Sequence, residues 1–328
     1  MLLNQYVPAL RYGAQLLPSE IVGGGTTVFG NAWYVDIDNG SDDNVGTTPN
    51  TAFATVPAAI SAATTNNHDV IYISANSTLS LSEMMSITKS RLHFIGTDLR
   101  GGFGMGARTK ISLGVTTDAT DIATMQNTGI GNTFHGIKFM NSNTVAEGIY
   151  GIAEGGEYSV YDTCEFYKST DLDVTGAAEV ANNGDSAQWL NCTFGSTANI
   201  VADDKIRPCM LVTGGIISGK KLRDNIMDSC MMLRKAGGTE AQFIYGANAT
   251  DVERMFAIKN TTFFNNPLSA ATPAVAVNFG AAQTQGAVFL DANCAVVDVT
   301  VMATTGQNIF VQAPSSPTYA TSGLSVAS

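Results

Sequence analysis

The chain has 328 residues, 45% of them hydrophobic and only 14% charged, with a formal net charge of −11. That length and apolar content support a sizeable core and exclude a disordered chain, and the acidic balance excludes nucleic acid as the main partner, because phosphate binding needs a basic face. The 33 glycines and the wealth of Ser, Thr and Asn favour β structure with many turns over helical bundles.

Residues 1–30 carry Tyr6, Val7, Pro8, Leu10, Leu16 and Leu17 without helical or strand periodicity, followed by Gly23-Gly24-Gly25. They have neither a basic start nor a continuous apolar run, so no secretory signal or membrane span is expected, and the chain is expected to be made in a cytoplasm. Such an arm cannot form its own core. It is expected to fold against a partner, with those six residues as the docking segment.

Next, "WYVDI" alternates like a strand and leads into "DIDNGSDDNVG", residues 36–46. Asp38, Asn39, Asp42, Asp43 and Asn44 offer oxygens to turn amides there, while Gly40 and Gly46 permit positive φ. Calcium is the rival reading, but the acidic positions lack EF-hand spacing, so no metal is expected and the turn reads as architectural. "TVPAAISAA" then places Val56, Ala59, Ile60 and Ala63 at helical spacing, with Thr55 as cap and Pro57 in the first turn. "DVIYIS" returns to strand.

From residue 134 a repeat emerges: "FHGIKF", "YDTCEF", "WLNCTF", "LRDNIM", "IKNTTF" and "DANCAV". Aligned on Gly136, Thr163, Asn191, Asp224, Asn260 and Asn293, the units recur at steps of 27, 28, 33, 36 and 33 residues. The fourth and sixth places are mostly apolar or small, a period of two that marks strands with one face buried, although Asn225 breaks the fourth column. The aligned column is expected to sit in turns and hydrogen-bond from coil to coil. Steps of 27 and 28 residues are too short for propeller blades and fit one coil of a solenoid each. The expected fold is all-β, a parallel β-helix with a short N-terminal capping helix that closes the open end of its core. The expected layout is an arm over 1–30, the β-helix over 31–300, and a C-terminal strand and tail over 301–328.

The stretch from "YVDIDNGSDDNVG" to "DVIYIS" and the later units "WLNCTF" and "IKNTTFFNN" resemble right-handed parallel β-helix proteins of the pectate-lyase-like superfamily, over roughly residues 31–300. That superfamily holds lyases, hydrolases, bacteriophage tailspikes and non-enzymatic virion proteins, so the resemblance implies a fold more sharply than an activity. An acidic chain with a short arm, expected to carry no signal and no long adaptor domain of the tailspike kind, is similar to the virion members. The resemblance therefore implies a non-enzymatic capsid decoration protein on the virion surface, a homotrimer docked on the major capsid protein or other virion proteins. No cofactor, nucleic acid or membrane partner is expected.

The alternative is a tailspike-type polysaccharide depolymerase or glycan-binding receptor protein that meets a host glycan. Paired carboxylates about 5–9.5 Å apart would serve hydrolysis. The candidates are Asp171 with Asp173, Asp203 with Asp204, Glu154 with Glu157, and Asp251 with Glu253. None carries the superfamily's surrounding catalytic motif, so no catalytic residue is assigned. Trp33 and Trp189, the only tryptophans, read as packing residues, which leaves a sugar groove short of stacking rings. Lys220, Lys221, Arg223, Arg234 and Lys235 form a basic cluster that reads as a solvated or subunit-facing patch. The five cysteines form no C-x-x-C pair and read as small buried apolar residues.

Overall fold

Period-two alternation pays off only where successive strands stack with one face inward, and the chain does this in three parallel sheets. The computed structural model describes residues 30–312, apart from 75–77, 98–108, 115–117, 143–148, 169–175, 198–206, 215–219, 240–241, 267, 269–270 and 305–307. The first sheet has ten strands, from Ala32–Asp36 and Val70–Ser74 to Ile309–Val311. The second runs over eight strands from Thr78–Leu81 to Ala295–Val297, and the third over eight from Met85–Ile87 to Val301–Ala303. The chain visits the three in turn, each circuit one coil, so every strand inside a sheet pairs with its counterparts one circuit before and after. This is a right-handed parallel β-helix, rising about 4.8 Å per coil.

The corner from first to second sheet is a single residue in the left-handed region: Gly136, Thr163, Asn191, Ser229 and Asn260, with φ of 66, 54, 54, 55 and 47°. Four of these are residues of the repeat column, but Asp224 is not at this corner. It lies at the opposite corner, where the third sheet returns to the first, with Arg91, Gly131, Tyr158 and Ser186, all at positive φ. "LRDNIM" mimics the repeat by composition, yet Asp228 pairs in register with Leu190 and Lys259, which puts Ser229 in the column. The correction removes the break in the pattern, because Cys230 then takes the fourth place. Asn293 keeps its ladder bond to Asn260 Oδ1 at 2.9 Å in a longer turn, where Asp291 accepts its amide at 3.1 Å.

Inside, side chains stack on their register partners. Phe94, Phe134, Tyr161 and Trp189 form one aromatic column with centroid spacings of 4.9, 4.7 and 4.4 Å, and Phe139, Phe166 and Phe194 form a second. Such contacts add about 0.5–1.5 kcal/mol per pair to burial. Cys164, Cys192, Cys230 and Cys294 follow the corner, buried and unpaired, each thiol donating to a carbonyl of the coil before, as Cys230 does to Trp189 O at 3.3 Å. Burial pushes the Cys192 thiol well above its ordinary range.

The predicted helix, α1 (Val56–Ala62), buries Val56, Ala59 and Ile60 against the first coil. Thr55 Oγ1 accepts the Ala58 amide at 3.3 Å as its cap, and Lys89 Nζ donates to Ile60, Ser61 and Ala63 carbonyls at the far end. The acidic turn is spent on the backbone. Asp42 accepts the Ala54 and Thr55 amides at 2.9 Å each, and Asp36 accepts those of Asp38 and Asn39.

Asp69 fastens this cap to the stack. Its buried carboxylate accepts from the Asn31 amide at 2.7 Å, Trp33 Nε1 at 3.0 Å, the Thr64 amide at 2.7 Å and Asn67 Nδ2 at 2.7 Å. Burial alone would raise its pKa, but these donors, Trp33 foremost, hold it below the usual carboxylate value. Asp69→Ala leaves four donors around the cap without their acceptor, and we expect chemical denaturation to read a loss on the order of 1–3 kcal/mol.

Beside it, His68 Nδ1 meets His93 Nε2 at 3.1 Å, and His93 Nδ1 meets Thr133 Oγ1 at 2.8 Å. Burial first, and His68 second, push His93 from 6.5 down to about 4, against the pull of Asp69. Because the folded value lies below the unfolded one, this stability is complete above pH 6.5 and is lost as pH falls towards 4. Thermal melts should show a fall in Tm across that window that His93→Gln flattens; an unchanged slope in the variant would contradict the assignment.

Candidate functional site

Where the second sheet gives way to the third, four charged side chains are buried at one corner. Lys168 and Arg234 end the strands Glu165–Lys168 and Met231–Arg234, Glu179 lies in Ala178–Asn182, and Arg207 precedes Met210–Val212. Arg234 Nη1 and Nη2 donate to Glu179 Oε1 and Oε2 at 2.6 Å each, with both side chains almost wholly out of solvent. Gly195 makes room for this pair: at φ 80° it sits where a Cβ would lie 2.3 Å from Leu233 O and 3.0 Å from Arg234 Nη1. Lys168 Nζ reaches Asn141 Oδ1 at 3.3 Å. Burial pushes its ammonium down to about 7, opposed by Glu179 and reinforced by Arg207.

Lys168 is the last described residue before 169–175, and Arg207 the first after 198–206. Asp171, Asp173, Asp203 and Asp204 belong to those two segments and lie outside the described residues, as do Tyr6, Val7, Pro8, Leu10, Leu16 and Leu17 of the arm. Lys168 and Arg207, which adjoin those two segments in the sequence, lie at one corner on neighbouring coils.

The other two carboxylate pairs are separated by the wall of the solenoid or spent on structure. Glu154 points inward and accepts from Asn127 Nδ2 at 2.9 Å, the Gly156 amide at 2.7 Å, Ser159 Oγ at 3.1 Å and the Tyr161 hydroxyl. Burial raises its carboxyl above the ordinary value despite these donors. Glu157 faces outward and pairs with Lys220 at 3.0 Å. Asp251 closes a turn on the Asn248 amide at 2.8 Å, and Glu253 takes both arms of Arg223 at 2.6 and 2.7 Å.

Those ion pairs also revise the basic cluster. Lys220 holds Glu157, Lys221 donates to Gln285 at 2.8 Å, Arg223 holds Glu253, and Arg234 is buried against Glu179. Four of the five basic residues thus have intramolecular partners on other coils.

The tryptophans are packing residues: Trp189 is buried in the aromatic column and Trp33 binds Asp69. Two of the exposed rings are phenylalanines that the sequence reading passed over. Phe289 and Phe310, 42% and 54% exposed, stack on the outer face of the first sheet at 5.3 Å and 17°. The signal was present as alternation, since Val288 and Leu290 on either side of Phe289 are buried.

No family model matches the chain, and no curated protein matches it. Solved structures do. Pectate lyase Pel9A is 12% identical, with a TM-score of 0.55 over 87% of this chain and 75% of that one. A pectin methylesterase from Aspergillus niger is 13% identical, with a TM-score of 0.55 over 92% of each chain. Pectin methylesterase from carrot is 14% identical, with a TM-score of 0.52 over 90% of this chain and 92% of that one. At such identities the likeness establishes the parallel β-helix.

Removing one partner from the corner pair should expose its cost. We expect Glu179→Gln to destabilise by about 3–5 kcal/mol, because Arg234 stays buried with its countercharge gone, while Glu179→Leu with Arg234→Met costs far less. Equal losses in the single and double variants would show that the pair is not desolvated.

Proposed function

We propose that this chain is a polysaccharide-directed parallel β-helix protein, a depolymerase or glycan-binding receptor of the tailspike kind. The observation that carries the reading is the corner itself: buried Lys168, Glu179, Arg207 and Arg234 form a rigid base at the roots of two segments bearing Asp171, Asp173, Asp203 and Asp204. Pairs of carboxylates next to a stiff scaffold are what glycoside chemistry uses. Support also comes from the solved structures of similar fold, which are named as a pectate lyase and as pectin methylesterases.

A second reading, a head-surface decoration protein docked through residues 1–30, draws on the resemblance to virion proteins and on one structural feature. The ion pairs Lys220 to Glu157 and Arg223 to Glu253 tie one coil to another, which suits a part that must endure outside a cell. Counting this chain per virion separates the two, with a number near that of the shell protein for decoration and a few trimers for a tail position.

The functional test is release of reducing ends from capsular and cell-wall polysaccharides. Turnover by the parent chain should fall at least about 100-fold on changing Asp171, Asp173, Asp203 and Asp204 to Asn, with Tm essentially unchanged. Retention in polysaccharide affinity gels without turnover assigns the receptor form. Absence of both turnover and retention would overturn the reading.

A further inference from the structure

The exposed ring pair marks a second place, on a different sheet from the corner. Ala257, Phe289 and Phe310 are successive register partners in one outward column of the first sheet. The two rings stack along the solenoid axis, so the other face of Phe289 looks towards Ala257, whose methyl group cannot continue the stack. A hollow of about 300 Å³ results, floored by Ala257 and the two rings and rimmed by Lys259, Asp291 and Gln312. Asp291 is fixed at that rim by accepting the Asn260 and Asn293 amides at 3.1 Å each.

The hollow has the size of one ring and the polarity of a sugar site: an apolar floor that favours a C–H face, and a few polar groups at the edge for hydroxyls. Charge narrows the ligand. Lys259 and Asp291 cancel at the rim, so the complementary guest is uncharged and rich in hydroxyls, and the net charge of −11 repels acidic polymers from the chain as a whole. We propose that the place beside Phe289 and above Ala257 is a subsite for one neutral hexopyranose unit of a polysaccharide, with its C–H face on the phenyl ring and its hydroxyls on Lys259, Asp291 and Gln312. The proposal rests on the glycan-directed reading above and adds to it both a location away from the corner and a preference for neutral sugars.

The test is calorimetric titration of the full chain with neutral hexasaccharides built on glucose, mannose and galactose, and with oligogalacturonate as the acidic probe. A neutral oligosaccharide should bind and oligogalacturonate should not displace it. Phe289→Ala, which removes the stacking face, and Ala257→Leu, which fills the hollow, should each weaken binding about tenfold or more. Ala257→Leu keeps both rings in place, so it answers the question even if Phe289→Ala lowers stability. A neutral glycan bound with unchanged affinity by both variants would overturn the subsite and leave the glycan-directed reading standing. Absence of any glycan binding by the parent chain would overturn both. Dimerisation in sedimentation that Phe310→Ala abolishes, without glycan binding, would assign the hollow to a second copy of the chain and overturn the proposal.

Discussion

Five successive coils of this protein turn from the first sheet to the second across one residue held in the left-handed region, and the stack depends on that constraint. A longer corner would let the coils slip, and a one-residue slip would turn every inward side chain outward. Left-handed backbone at Thr163 or Ser229 costs on the order of 1 kcal/mol, because Cβ crowds the following carbonyl. The cost is offset along the corner by bonds between coils: Asn191 Nδ2 to Asp162 Oδ1 at 3.0 Å, Asn260 Nδ2 to Asp228 Oδ1 at 2.8 Å, and Asn293 Nδ2 to Asn260 Oδ1 at 2.9 Å. The cysteines just inside the corner finish the work with thiols small enough to fit the bend.

With register fixed, the interior sorts itself into columns, and polar groups follow the same logic. Asn127 and Glu154 are register neighbours on the third sheet and bond one another inside the solenoid, where an unpaired amide or carboxyl would be costly. At the N-terminal end Asp69 does the equivalent service for the cap, and in the middle Glu179 does it for Arg234. The functional reading depends on the same stiffness, since a loop can hold reacting groups in place only when its roots do not move.

The sequence made the fold legible because a period of two and a recurring small corner residue are local signals that survive variable loop lengths. Thr55, Pro57 and the spacing of Val56, Ala59 and Ile60 made the cap helix legible for the same reason. The slip at Asp224 came from composition standing in for register: "LRDNIM" and "MDSCMM" both fit the pattern, and only strand pairing chooses Ser229. The corner charges were hidden more deeply. Lys168, Glu179 and Arg234 are far apart in sequence and look like solvated residues, and their burial arises from the meeting of three coils. Phe289 and Phe310 were missed for the opposite reason, since an aromatic residue in a strand suggests a core and alternation alone does not say which face is inward.

The account stands or falls on whether this solenoid recognises carbohydrate. The most direct measurement is to present the labelled full-length chain to an array of microbial polysaccharides, neutral and acidic. Retention is expected on a small set of structurally related glycans, with competition by the free polymer. Uniform absence of retention across the array, from a chain shown by circular dichroism to be folded β structure, would contradict it and leave a structural part of a particle as the remaining role.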